Sequence, residues 1–248
     1  MRVTAGSPVV LMSACYQRTE GGRPLIVDSY RIDLPATWRR VPTNADELKR
    51  TIREKMDPLE WAGLSVVQRR NIELFSERVA ADLRRTDAKL AAVFAEIVSA
   101  DEGAADGTDP QGALLAALLV SSMTRQAIGS KLPLTANIIQ AAMSKGISDE
   151  ADVVLAATRV TRLAPPSVVR LSSGDACRII RLHENGHGSS KMATFTETYF
   201  IPVPDDYESL LVLLFATPNV KESATFSQLF AEIADHVKMY REGESTTL

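Results

Sequence analysis

Three histidines and two cysteines are all that these 248 residues offer toward imidazole, thiol or zinc chemistry. Cys15 and Cys177 lie far apart and belong to no C-x-x-C or Cys/His cluster. Neither a structural zinc site nor a disulfide framework is therefore signalled, and two reduced, buried thiols are the expectation. Glycine-rich phosphate loops of the Walker or G-x-G-x-x-G kind are missing, so nucleotide binding has no support. G-x-S-x-G, the strained turn that carries a hydrolase serine, is missing as well. Basic charge is not in excess: the formal net charge is -3, whereas nucleic-acid binders and proteins held on anionic membranes carry a basic face. The longest apolar run, ALLAALLVSSM from Ala113 to Met123, falls short of the roughly 18 residues that span a bilayer. The reading is of no nucleic acid, no membrane span and no cofactor.

What is present is material for a core. Hydrophobic residues make up 45% and charged residues 24%, the balance of an ordinary globular chain, and the length suits one large domain over residues 1–248. SPVVLMSACYQ at the N-terminus reads as a first strand. Its Ser-Ala-Cys15 ending also resembles a lipoprotein cleavage box, but Met12 and Pro8 spoil that pattern and the leader is short. A cytoplasmic protein is expected first, a lipoprotein acylated at Cys15 second. Tyr30, Ile32 and Leu34 alternate with polar residues as a half-buried strand that Pro35 ends, with Trp38 and Val41 anchoring the way out.

From Asn44 to about Ala100 the texture becomes helical. Asn44 is a cap with Asp46 and Glu47 in the first turn, and Leu48, Ile52 and Met56 recur at four-residue spacing. Beyond Asp57-Pro58 a second run carries Ile72, Phe75, Val79, Leu83, Leu90, Phe94 and Ile97 on one side. Arg69, Arg70, Glu77, Arg78, Arg84, Arg85 and Lys89 lie on the other. The region reads as a helical insertion over 44–100, either one long helix or a hairpin bent near Arg85-Thr86-Asp87. ALLAALLVSSMT is a buried strand or a short helix, which periodicity does not decide. TANIIQAAMSKG is a helix capped by Thr135 and stopped by Gly146. The last hundred residues read as short strands closed by one amphipathic helix, ATFSQLFAEIADHVKMY, with Phe226, Leu229, Phe230, Ile233 and Val237 as its stripe. Short strands on tight connections imply an α+β fold, an antiparallel sheet flanked by helices.

The most pointed string is RLHENGHGSSK. His183-Glu184-Asn185-Gly186-His187 spells H-E-x-x-H, which serves zinc peptidases because a helix sets both imidazoles on one face. Here Asn185-Gly186 is a hairpin signal, the flanks alternate as strands, and Ala193 stands where an extended motif wants its third histidine. The string reads as a hairpin tip. Ser172-Ser173-Gly174-Asp175 is a turn, and Asp205, Asp206 and Glu208 are a solvated hairpin tip. His236 is a partly buried structural histidine. The arginine pairs Arg69-Arg70 and Arg84-Arg85 sit among acids as a solvated helix face, and are also the natural partner-binding candidates together with Trp61, while Trp38 belongs to the core.

Two stretches carry a resemblance. TYFIPVPDDYESLLVLLFATPN with SQLFAEIADHVKMY, matched at Tyr199, Pro202, Pro204, Phe215, Thr217, Pro218, Leu229, Phe230, Ile233 and Ala234, resembles the ending of uncharacterised actinobacterial proteins. YRIDLPATWRRVP looks like the L-P-x-x-W opening of the same Mog1/PsbP-like, LpqN-type domains. The resemblance covers about the first 42 and the last 90 residues. It implies a sandwich of antiparallel sheet and helices and a binding or accessory role; the middle, 44–100, departs from the compact family pattern and reads as a helical insertion after the first strands. The reading is a non-enzymatic protein acting through contact with another protein, secretion-associated or immunity-type. The alternative is a small-molecule-binding or metal-dependent hydrolytic domain using His183 and His187.

Overall fold

Alternating and doubly apolar segments build two antiparallel sheets, and the helices cover what the sheets leave bare. The structure, a computed structural model, describes residues 9–13, 29–55, 64–99, 111–126, 130–145, 158–185, 192–204, 206 and 208–240. In chain order these form β1 (Val9–Ser13), β2 (Ser29–Asp33), β3 (Trp38–Val41), α1 (Ala45–Lys55), α2 (Val66–Thr86), β4 (Leu90–Ser99) and β5 (Gln111–Thr124). Then come α3 (Ala136–Lys145), β6 (Thr158–Arg162), β7 (Ser167–Leu171), β8 (Gly174–Asn185), β9 (Met192–Pro202) and β10 (Ser209–Thr217). A 3₁₀ turn leads into α4 (Ser223–Asp235), and β11 (Val237–Tyr240) follows.

The large sheet runs β3-β4-β5-β10-β9-β8-β6, with β7 also paired to β8, and the small one runs β1-β2-β11. Every pairing is antiparallel. The fold is α+β, an antiparallel sheet with helices on its faces, as the sequence predicts.

Period two sorts the core. Leu211, Leu213 and Phe215 of β10 join Leu118, Val120, Tyr199, Ile201 and the residues of α4 in one cluster, closed by Tyr30, Ile32 and Val237 of the small sheet. On the opposite face, Leu115, Ala117 and Leu119 of β5 pack under Leu48 of α1 and Ile72, Phe75, Val79 and Leu83 of α2. Farther along that face, Cys177, Ile179, Leu210 and Val212 pack under α3 through Leu134 and Ile139. The central strands are thus buried on both sides, which is why they are apolar at nearly every position. Phe215 and Phe230 stack with centroids 4.6 Å apart, and Trp38 reaches Phe94 and Phe230. Trp38 is core.

Local chemistry sets the element ends. Asn44 Oδ1 accepts the N–H groups of Asp46 and Glu47, capping α1. Ser65 and Gln68 form a reciprocal capping box at the start of α2. That helix stops at Asp87, whose φ of 45° is left-handed, a conformation that Asp tolerates better than most residues. The β7–β8 turn requires Gly174 at φ 128°, and Ser172 anchors the turn by donating its N–H and hydroxyl to Asp235 at the end of α4. Thr217 and Asn219 finish β10: Thr217 Oγ1 donates to Leu115 O, while Asn219 accepts from Leu115 N–H and donates to Ala113 O. These side chains take over the ladder to β5 where Pro218 cannot donate.

Four expectations need correction. The helical segment does not reach Ala100: the helices between β3 and β4 end at Thr86, and Leu90, Phe94 and the residues around them form β4, paired to both β3 and β5. Leu90 to Phe94 are apolar at every position and largely buried on both sides, which reads as readily as helix. The last helix ends at Asp235, and Val237 belongs to β11, which completes the small sheet against β2. His236 is exposed, with Nδ1 2.7 Å from Glu232 O. Asp206 is buried; its Oδ1 accepts the Glu208 N–H in an Asx turn, and Glu208 pairs with Arg125 at 2.7 Å.

Candidate functional site

The arginines singled out in the sequence fall at two ends of α2, roughly 22 Å apart at 1.5 Å per residue, and do not form one patch. Arg70 is exposed and 3.6 Å from Glu73, and Arg69 lies beside it, half-buried. Arg84 reaches toward Asp46 at 3.9 Å, while Arg85 turns inward to Asp82. Trp61 lies outside the described residues. At the first end, Val66 and Val67 are 75% and 68% exposed, the barest large apolar side chains among the described residues. They neighbour Arg69 and Arg70 at three- and four-residue spacing.

His183 occupies strand β8, opposite Thr194 of β9, so the helix that an H-E-x-x-H site requires is not what carries it. β8 and β9 are antiparallel neighbours in register from Cys177↔Phe200 to Asn185↔Met192, the hairpin the sequence predicts; Gly186 and His187 lie outside the described residues. The imidazole faces α2. Arg78 Nη2 lies 3.2 Å from His183 Nδ1, and since a guanidinium only donates, Nδ1 must be the bare nitrogen of a neutral ring. Burial, then the Arg78 charge, pushes His183 down to about 4; Asp82 pulls the other way, and Arg181 and Arg85 add to the depression.

The anchor of this cluster is Asp82, 3% exposed, which accepts from Arg78 Nε at 2.9 Å and from Arg85. Arg78 itself is largely buried, not part of a solvated face. Two guanidiniums hold this deep carboxylate, as a buried acid needs. Beside it on the same face, the register places Arg162 of β6 against Arg181 of β8, and Thr196 of β9 against Arg181 from the other side. Arg162 donates to Met143 O, one of the free carbonyls at the end of α3. Arg181 has no side-chain acceptor among the described residues; burial and Arg162 both lower its affinity for its proton.

The opposite face holds a second buried acid, Glu197, with no solvent exposure. It accepts from Tyr199 OH, from Arg178 Nε at 2.6 Å and from Ser227 Oγ at 2.8 Å, and Arg178 also donates to Ser227. Burial, with Glu197 beside it, drives the Tyr199 phenol well above its ordinary range. Both carboxylate oxygens are engaged, so this network fastens α4 to β8 and β9 and offers nothing to a ligand.

Sequence reasoning missed both acids, although each left a sign. Asp82 lies within the apolar stripe between Val79 and Leu83, four residues after Arg78. Glu197 shares its strand face with Phe195, Tyr199 and Ile201. An acid on a buried face needs a cation, and both cations were there to be found. Among the described residues no group of three His, Cys, Asp or Glu side chains converges as a metal site would, and no helix is long and apolar enough to cross a membrane.

No protein-family model matches the chain, nor does any curated protein sequence. Among solved structures, LpqN of Mycobacterium tuberculosis, described as involved in cell envelope biogenesis, is similar over 93% of this chain and 91% of its own, with 10% identity and a TM-score of 0.41. A likeness at that level says nothing of activity.

Proposed function

We propose that this is a non-enzymatic binding protein that acts by contact with another protein. The observation that supports the reading is the start of α2. Val66 and Val67 stand bare in water, with Arg69 and Arg70 in the same turn and no acid in the first turn to offset the positive end of the helix dipole. The isolated chain gains nothing from that arrangement. An acidic protein surface with an apolar centre would gain from both parts of it, since apolar anchors supply affinity and complementary charge supplies specificity. A secretion-associated accessory or an immunity-type inhibitor would use such a surface. Its place of action is proposed to be the cytoplasm; membrane partitioning that disappears in Cys15→Ala would move it to an acylated lipoprotein instead.

The test is capture on tagged protein from its host, with Val67→Glu/Arg70→Glu as the matched comparison. Both positions are exposed, so the variant keeps its fold. A near-stoichiometric acidic protein held by the natural sequence and released by the variant is the expected result. An identical set of proteins on both, or none on either, would refute the reading.

A further inference from the structure

Arg78 and Arg85 hold Asp82 on the helix-covered face of the sheet, and Arg181, with Arg162 beside it, lies close enough to His183 on that face for its charge to be felt there. Arg78 and Arg85 are spent on Asp82. Arg162 and Arg181 are not: they lie directly across the β6–β8 ladder from each other, half-buried, with like charges and, among the described residues, no carboxylate between them. Among the described residues Arg162 makes one bond, to Met143 O, and its Nε is buried with no partner there. In the adjacent row, directly across from His183, Thr194 is fully buried and its hydroxyl has no hydrogen-bond partner. Arg181 and His183 alternate with Leu182, so the side chains of Arg162, Arg181, His183 and Thr194 share one face of the sheet.

A buried hydroxyl and a buried guanidinium N–H without partners each destabilise the fold, and two adjacent cations repel. On neighbouring strands and on one face of the sheet, these three groups would all be satisfied by an anion. We infer that Arg162, Arg181 and Thr194 form a binding site for a phosphate-type oxyanion, free or as a phosphomonoester. The two unneutralised guanidiniums match the charge of a dianion. Planar forks that can each give two parallel N–H bonds, with a hydroxyl from a third direction, suit a tetrahedral oxyanion better than a flat carboxylate. Both arginines keep partial solvent access, so the ion has a way in. His183, kept neutral by burial and by Arg78, flanks the site as a hydrogen-bonding ring and adds no charge. The site is separate from the proposed protein-binding surface at the start of α2, and either can fail without the other.

The experiment is calorimetric titration with inorganic phosphate and with glycerol phosphate at constant ionic strength, chloride as the balancing anion, on the natural protein, Arg181→Met and Thr194→Val. Saturable binding near one to one is expected, weakened at least tenfold by Arg181→Met and several-fold by the nearly isosteric Thr194→Val. Tighter binding of the ester would assign the site to an organic phosphate, and equal binding to the free ion. Melting in chloride guards the result, because removing one of two facing cations should leave Arg181→Met as stable as the natural protein or more so. Absence of saturable heat with either phosphate would overturn the assignment. So would binding that Arg181→Met leaves unchanged.

Discussion

Lowering the pH should unfasten α2 from the sheet through one residue, His183. In the folded protein its pKa is depressed to about 4 from the ordinary 6.5, by burial first and the Arg78 charge second. The folded state therefore resists protonation that the unfolded state accepts. Between the two values the unfolded chain binds more protons, so stability is full above about pH 6.5 and is lost as pH falls toward 4. Linkage over that window gives a loss of about 2 kcal/mol by pH 5 and about 3 kcal/mol by pH 4, an upper range because the ring keeps some solvent access. The structural event is specific: a proton on Nδ1 turns the acceptor of the Arg78 bond into a second donor facing a cation. Carboxylates also titrate as pH falls, so the single protein is not a clean measurement. Urea unfolding of the natural protein and of His183→Gln, which can still accept from Arg78, isolates the histidine. The natural protein should lose about 2 kcal/mol more than the variant between pH 7 and pH 5. Parallel stability profiles would show that His183 is not held neutral by its surroundings, and the buried Arg78–His183 geometry would be wrong.

Three further outcomes follow from the packing. Glu197→Ala should cost about 3–5 kcal/mol in urea unfolding, because Arg178 and Tyr199 lose the charge that Glu197 supplies inside the core; a loss under 1 kcal/mol would mean that solvent already screens the pair. Phe230→Ala should cost about 3–5 kcal/mol, since the fully buried ring stacks on Phe215 and touches Phe226 and Trp38, and an unchanged midpoint would contradict that packing. In a Cys15→Ser background, Cys177 should resist alkylation at neutral pH until the protein is unfolded, with labelling at least about a hundredfold slower when folded, because burial removes access and raises the thiol to about 11; fast labelling of folded protein would place it at the surface.

Most of the fold was legible because its signals are local. Asn44, Ser65 and Thr135 are short polar side chains that satisfy free N–H groups at helix starts, and each lies where a helix begins. Tyr30 and Ile32 alternate because one face of β2 lies on the core and the other does not. The failures share a cause. β5 and the first half of β4 are largely buried on both faces, so alternation is erased there; periodicity leaves β5 between strand and helix, and in β4 Leu90, Phe94 and Ile97 fall by chance at helical spacing. β11 was absorbed into α4 because Val237 continues the helix's apolar stripe, and only the open edge of β2, a partner distant in sequence, makes it a strand.

The site was less legible for a reason of kind. Surface arginines advertise themselves, as the pairs Arg69-Arg70 and Arg84-Arg85 do, yet Arg84 and Arg85, almost equally exposed, share no partner. The residues that carry unusual energy are single charges set into apolar faces: Asp82 on α2, Glu197 on β9, Arg162 and Arg181 on two facing strands. One such acid can be found from its own helix or strand, because its neighbours say which way it points. Two facing arginines cannot, since 18 residues of chain between Arg162 and Arg181 conceal that a ladder sets them opposite each other. The acids and the arginines also differ in outcome. Asp82 and Glu197 have cations in contact and are complete within the chain, which makes them structural. The Arg162–Arg181 pair lacks an acid among the described residues, and two facing, half-buried guanidiniums gain from a counterion, which is what the proposed oxyanion would supply. That asymmetry, and not the histidine string that first attracts the eye, is where the molecule is unfinished.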